Sequence, residues 1–179
     1  IELARLSLAG TQNKCGLFHD PKAPLGDGWY QPVGGAPSNY IIKFAREDLH
    51  DLMIVEHLSL TCAAACGVPS AKTALLNPSR PIICVERYDR LGSASEVING
   101  QVAPLRQHQE DITQAFGIMP EAKYRQLEPN TVTVLADFFR NSSANPAQDI
   151  ANLTRLLLFN YLIGNCDNPV SYTHLRAHE

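Results

Sequence analysis

The spacing of apolar residues changes character partway along the chain, and that change limits the folds open to it. Up to about residue 90 the apolar residues come in short runs bounded by turn formers, the mark of strands. Leu3, Arg5 and Ser7 alternate with Ala4, Leu6 and Leu8 until Gly10 breaks the run. Cys15 to Phe18 reads as a return strand, and residues 20–38, dense in Pro, Gly and Asp, as a loop. Tyr40 to Ala45 is a continuous apolar strand carrying one lysine, and Thr73 to Leu76 and Ile82 to Val85 are two more strands. One helix interrupts this meander. Glu47 to Cys66 has helical spacing, with Leu49, Leu52, Met53, Leu58 and Cys62 inward and Glu56 on the flank, closed by Gly67 and Pro69.

After residue 105 the period lengthens. Gln109 to Phe116 reads as a helix ending at Gly117, Pro120 opens a short helix, and Asn130 caps another that runs through Phe139. Asn145-Pro146 is a cap followed by proline at the first helical position. The helix it opens has Ile150, Leu153, Leu156, Leu157 and Tyr161 on its apolar face and ends at Gly164. A β-rich half, a crossing from strand to helix near residue 90 and a helical half make an α+β chain.

At 179 residues and 45% hydrophobic the chain can bury a real core. A net charge of −3 argues against a general nucleic-acid or membrane surface. No run approaches about 18 apolar residues, and no signal-peptide pattern is read in these residues. Five cysteines (Cys15, Cys62, Cys66, Cys84, Cys166) form no disulfide framework and sit mainly in apolar runs, which points to a reducing cytosol. Cys62 and Cys66 share a helix face, but without a further Cys or His pair the core reading outweighs a zinc site. The chain opens Ile1-Glu2-Leu3 without Met, so a preceding segment is expected.

Four places could carry chemistry. Ser7 to Lys14 joins a strand, a turn at Gly10 and a lysine, which suits a phosphate through backbone N–H groups and a cation; an ordinary hairpin would read the same way. Lys43 lies among apolar neighbours, where an ammonium needs a partner. Glu56 on the next helix can supply one, whereas an edge-strand lysine would simply reach water. Glu86 to Arg90 ends an apolar strand. It can offer backbone groups to a flat base, or be a solvated strand end with Glu–Arg and Asp–Arg pairs. Asp167, after Gly164-Asn165-Cys166, is a loop carboxylate that can accept a hydroxyl proton or merely close a turn.

In their order and wording these segments resemble the HipA-like serine/threonine kinases, the toxins of bacterial toxin–antitoxin pairs. Ser7-Leu8-Ala9-Gly10-Thr11-Gln12-Asn13-Lys14 is similar to that family's phosphate loop, Ile41-Ile42-Lys43 to its lysine strand, and Val85-Glu86-Arg87-Tyr88-Asp89-Arg90 to its hinge. His108-Gln109-Glu110-Asp111 with Gln114-Ala115-Phe116-Gly117, and Leu162 to Asn168, resemble two further family segments. The resemblance implies a two-lobed protein-kinase-like α+β fold. Residues 1–90 would be the β-rich nucleotide lobe and 91–168 the start of an incomplete helical lobe. It implies ATP and Mg²⁺ as cofactors and transfer of the γ-phosphoryl to a Ser or Thr of a translation-related protein. The nucleotide would meet Ala9, Gly10, Thr11, Gln12, Asn13, Lys14, Lys43, Glu56, Glu86, Tyr88 and Asp89. Asp167 would be the catalytic base and Ser7 the site of autophosphorylation. The implied partners are a protein substrate and a HipB-like antitoxin, with nucleic acid reached only through the antitoxin and no membrane. The implied location is cytoplasmic.

The resemblance breaks after Asn168. The family pattern D-x-H-x-x-N would put His where Pro169 stands and Asn where Tyr172 stands, and its metal-binding Asp lies further on. Residues 169–179 are therefore expected to be a non-native tail, with no metal ligand in this chain and no turnover by the chain itself. The alternative function is a non-catalytic module, a pseudokinase that binds nucleotide or antitoxin.

Overall fold

The computed structural model describes residues 13–45, 49, 51–77, 79–98, 101–119, 131–165 and 174–176. The chain divides into two compact units, Ile1–Cys66 with Ser70–Arg106, and Gly67–Pro69 with Gln107–Glu179.

The first unit is built on a five-stranded antiparallel sheet. Its strands are β1 (Asn13–His19), β2 (Trp29–Tyr30), β3 (Tyr40–Phe44), β4 (Thr73–Leu76) and β5 (Ile82–Glu86), in the order β2-β1-β3-β5-β4. Helix α1 (Asp51–Ala65) connects β3 to β4. Successive strand residues face opposite sides, so the register sorts the side chains. Cys15, Ile42 and Cys84 align across the sheet and form a buried cluster on one face. Trp29, Tyr40, Phe44, Leu76 and Ile82 pack against it. The Cys84 thiol is pushed up to about 12, by burial and then by Cys15, so it is an inert core group. Lys14, Lys43 and Ile83 align on the other face, the one α1 covers. Met53 on α1 and Ile83 beneath it are fully buried, and His57 Nδ1 lies 2.8 Å from Thr73 Oγ1 on the same face.

Three expectations need correction here. The 20–38 loop contains the short strand β2, because the Trp29 ring packs tilted against His19 and edge-on against Tyr40, with ring centroids 4.6 and 5.3 Å away. Gly28 makes the turn before it possible: its φ is +72°, and a Cβ there would lie 2.4 Å from that of Ala23. On α1 the buried residues are Met53 and Ala63, while Leu52, Leu58 and Cys62 are exposed, as is Leu49 before the helix. The helix is apolar all round, so its sequence period does not select a face; contacts with Lys43 and Thr73 do. Cys66 is exposed as well, so Cys62 and Cys66 are not core residues.

The crossing from strand to helix also falls later than residue 90. β6 (Arg90–Ile98) and β7 (Gln101–Arg106) pair antiparallel, with a register shift between Leu91 and Ser95. Between them the sequence reads Asn99-Gly100, the dipeptide that two-residue hairpin turns favour.

In the second unit, Gln109 to Phe116 is not one helix. β8 (Gln109–Asp111) pairs with β9 (His174–Arg176), and only Ile112–Ala115 is helical, as α2. Asp111 stops the strand and starts the turn through a capping box. Its Oδ1 accepts from Gln114 N at 2.8 Å, while its own N–H donates to Gln114 Oε1 at 2.9 Å. Helices α3 (Thr131–Ser142) and α4 (Pro146–Leu162) pack their apolar stripes around Ile112, Leu135, Phe139 and Leu153. α4 begins at the Asn145 cap with Pro146 in its first turn, as the sequence predicts. Its buried residues are Leu153, Phe159 and Asn160, whereas Tyr161 is 82% exposed, contrary to expectation. Gly164, at φ +69°, closes it with a Schellman pair: Gly164 N to Tyr161 O at 3.2 Å and Asn165 N to Asn160 O at 2.9 Å.

Candidate functional site

β3 is a central strand, with β1 on one side and β5 on the other. Lys43 is therefore no edge lysine reaching freely for water. Its Nζ lies 2.5 Å from Glu56 Oε1, and both side chains are 24% exposed. Lys14 is its cross-strand partner on β1. Burial, then the neighbouring Lys43 charge, lowers the Lys14 ammonium below its usual value, only partly offset by Glu56. Two ammonium groups and the Glu56 carboxylate thus meet on one half-buried patch of the sheet. Two cations held this close repel each other, which is the kind of pair an anion between them relieves.

The next row on this face is Gly16, Ile41, Val85 and Thr73, which the register aligns across four strands. Ile41 and Val85 are only partly buried, and Gly16 adds no side chain. An apolar floor thus adjoins the two lysines. Neither Ile41 nor Val85 is among the nucleotide contacts expected from the sequence. Counting in twos from Lys43 and from Ile83 would have found them, given the register.

The strand end at Glu86 is held from several sides. Glu86 N–H donates to Lys72 O at 2.9 Å, so what Glu86 could offer a base is its carbonyl. Arg87 N–H donates to Asn39 O at 2.9 Å. The Arg87 and Asp89 side chains form a fork, Nε to Oδ1 at 2.9 Å and Nη2 to Oδ2 at 2.6 Å. They are 13% and 4% exposed, so this is not a solvated strand end. Arg87 Nη1 also donates to Ser38 Oγ at 3.0 Å, and Arg90 Nε to Ser38 O at 3.1 Å. Burial alone would raise the Asp89 carboxyl. The hydrogen bonds and charge of Arg87, with the charges of Arg90 and Arg106, outweigh it and hold the group below the usual carboxylate value. Expected as a nucleotide contact, Asp89 has its carboxylate turned to arginines within the fold.

Lys14, Lys43 and Glu56 are thus brought together, while Glu86 ends β5 and Tyr88 and Asp89 lie just after it. Asn13 begins β1 and is exposed. Ser7, Ala9, Gly10, Thr11, Gln12 and Asp167 lie outside the described residues, as does Cys166. Among the described residues no three His, Cys, Asp or Glu side chains gather as a metal site. No described helix is long and apolar enough to cross a membrane.

Comparison with known proteins identifies the family. The family described as the HipA-like C-terminal domain matches residues 6–176. The chain is 35% identical over 165 residues to Y4mE of Sinorhizobium fredii, a protein named as an inferred kinase, covering 91% of the chain and 36% of that protein. It is 30% identical over 174 residues to the serine/threonine-protein kinase toxin HipA of Shewanella oneidensis, covering 91% of the chain and 37% of the toxin. The chain therefore spans well under half the length of these relatives. A chain in the solved Shewanella oneidensis MR-1 toxin–antitoxin complex of HipA, HipB and operator DNA superposes with a TM-score of 0.75 at 27% identity, covering 97% of this chain and 40% of that one. A family match across nearly the whole chain and a mixed α+β fold with an antiparallel sheet like that of the solved relative make this protein a member of the HipA-like C-terminal domain family.

Proposed function

We propose that this chain is the nucleotide-binding part of an ATP- and Mg²⁺-dependent serine/threonine protein kinase that acts on a translation-related protein in the cytoplasm. The observation that carries the proposal is the half-buried Lys14–Lys43–Glu56 group beside the apolar Ile41–Val85 row. A nucleoside triphosphate has the matching parts, a flat apolar base and a polyanionic tail. Glu56 orients Lys43 by a charged hydrogen bond, and Lys43 with Lys14 holds phosphate oxygens. The base lies over Ile41 and Val85, against the backbone at Glu86 and Tyr88. Magnesium, when bound, neutralises charge on the phosphates. Asp167 takes the proton of the attacking Ser or Thr hydroxyl as its oxygen bonds the γ-phosphorus and ADP leaves. Similarity to a chain of the HipA, HipB and operator DNA complex supports an antitoxin partner of the HipB kind, through which DNA would be reached; Ser7 is proposed with it as a self-modified residue of the phosphate loop. The division into a nucleotide lobe, a helical lobe and a tail from residue 169 belongs to the same proposal.

The test is Lys43→Ala in the full-length protein. Transfer of label from γ-labelled ATP should fall at least about a hundredfold, the usual loss when one aimed charge is removed, with a melting temperature close to wild type. Retained transfer refutes the assignment. ATP binding without transfer by the wild-type protein favours a pseudokinase.

A further inference from the structure

The Arg87–Asp89 fork lies among three connections that serve separate strands. Arg87 reaches Ser38 Oγ with its side chain and Asn39 O with its backbone N–H. Asn39 in turn grips the end of β1. Its Oδ1 accepts from His19 N at 2.7 Å, its Nδ2 donates to His19 O at 2.8 Å, and its N–H donates to Leu17 O at 3.1 Å. Arg90 holds Ser38 O, and Ser38 is itself buried. One continuous hydrogen-bonded path therefore joins the exit of β1, the entrance of β3 and the exit of β5. β1 carries Lys14, β3 carries Lys43 and Ile41, and the exit of β5 carries Glu86 and Tyr88. A buried ion pair is a poor device for stability alone, because desolvation offsets most of its attraction. Its strength is geometric: a planar five-donor fork fixes orientation in a way an apolar contact does not.

We propose that Arg87 and Asp89 are a positioning pair that sets the hinge backbone at Glu86–Tyr88 relative to β1 and β3, so that the site reads the base of its nucleotide. The inference rests on the nucleotide-binding reading of the Lys14–Lys43 site. Asp89 does not touch the nucleotide; it acts through Arg87. Its neutral amide analogue would turn an N–H₂ towards one Arg87 donor, breaking the fork while keeping the volume. The lysines would be left in place. Loss of the pair therefore weakens base recognition and spares attraction for the phosphates.

The experiment measures dissociation constants of ATP and UTP for the full-length protein by calorimetry, in wild type, Asp89→Asn and Lys43→Ala. Wild type should favour ATP. Asp89→Asn should shrink the UTP-to-ATP ratio of constants by about tenfold, equivalent to roughly 1.4 kcal/mol, through weaker ATP binding with UTP little changed. Lys43→Ala should weaken both nucleotides together and leave the ratio alone. A fork that served only stability would lower the melting temperature without moving the ratio, and that result overturns the proposal. An unchanged ratio in a folded Asp89→Asn, or a wild type that binds ATP and UTP equally, also overturns it. A wild type that binds neither nucleotide fails the functional reading instead. Should Asp89→Asn not fold, Arg87→Lys keeps the charge and removes the fork, and the same shift in the ratio is required of it.

Discussion

Replacing Asp89 by asparagine leaves the Arg87 guanidinium buried with half of its partner gone. Removing one member of a buried ion pair costs about 3–5 kcal/mol when the other is left with nothing. Here the cost is smaller. Arg87 keeps Ser38 Oγ at 3.0 Å, and the new amide oxygen can still accept one bond. Arg106 lies 3.5 Å from Asp89 but is 62% exposed, so its share is small. We expect a loss of about 2–3 kcal/mol at neutral pH. At about 4–8 °C per kcal/mol for a unit of 60–100 residues, the melting temperature falls on the order of 10–20 °C. The loss depends on pH with a definite sign. The Asp89 carboxyl is held below its ordinary value of 3.8 by the surrounding arginines, against the opposing effect of burial. Its contribution is therefore complete above 3.8 and is lost as pH falls through the lower folded value. Urea unfolding of wild type and Asp89→Asn from pH 7 down to pH 3 should show a gap that narrows only below 3.8, as wild type becomes protonated and resembles the variant. A gap of less than about 0.5 kcal/mol at pH 7, the scatter of an ordinary surface substitution, refutes the reasoning. So does a gap that widens as the pH falls.

Lys14→Met should raise stability by a few tenths to about 1 kcal/mol at neutral pH, the usual scale when a strained functional group is relieved. Because the Lys14 ammonium is held below its ordinary 10.5, the gain should shrink as the pH approaches that value, while ATP binding weakens; thermal melts and calorimetry check both. Leu135→Ala opens a cavity in the cluster with Ile112, Phe139 and Leu153 and should cost about 2–5 kcal/mol by urea unfolding. Mass spectrometry of the full-length protein incubated with ATP should find phosphate on Ser7, and phosphate only elsewhere would refute that assignment.

Much of the fold was legible where local rules act alone. Asn145-Pro146 opens α4 and Gly164 closes it because a cap, a fixed proline φ and a left-handed glycine are decided within one turn of chain. The strands β3, β4 and β5 follow from short apolar runs between turn formers. Lys43 stood out because an ammonium in an apolar run needs a partner, and Glu56 was near enough in sequence to be named. Other features waited for tertiary structure. The face of α1 turned inward could not be read from a helix that is apolar all round; Lys43 and Thr73 on the sheet select it. Ile41 and Val85 join the site only once the register of β3 on β5 is known, since a slip of one residue would send both to the opposite face. Gln109–Asp111 became a strand because His174–Arg176, more than sixty residues later, pairs with it. Asp89 and Arg87 are two residues apart, so their charges were visible from the start. Their burial was not, because Ser38 and Asn39 come from the entrance of β3, some fifty residues earlier, and only the folded sheet brings them to the hinge.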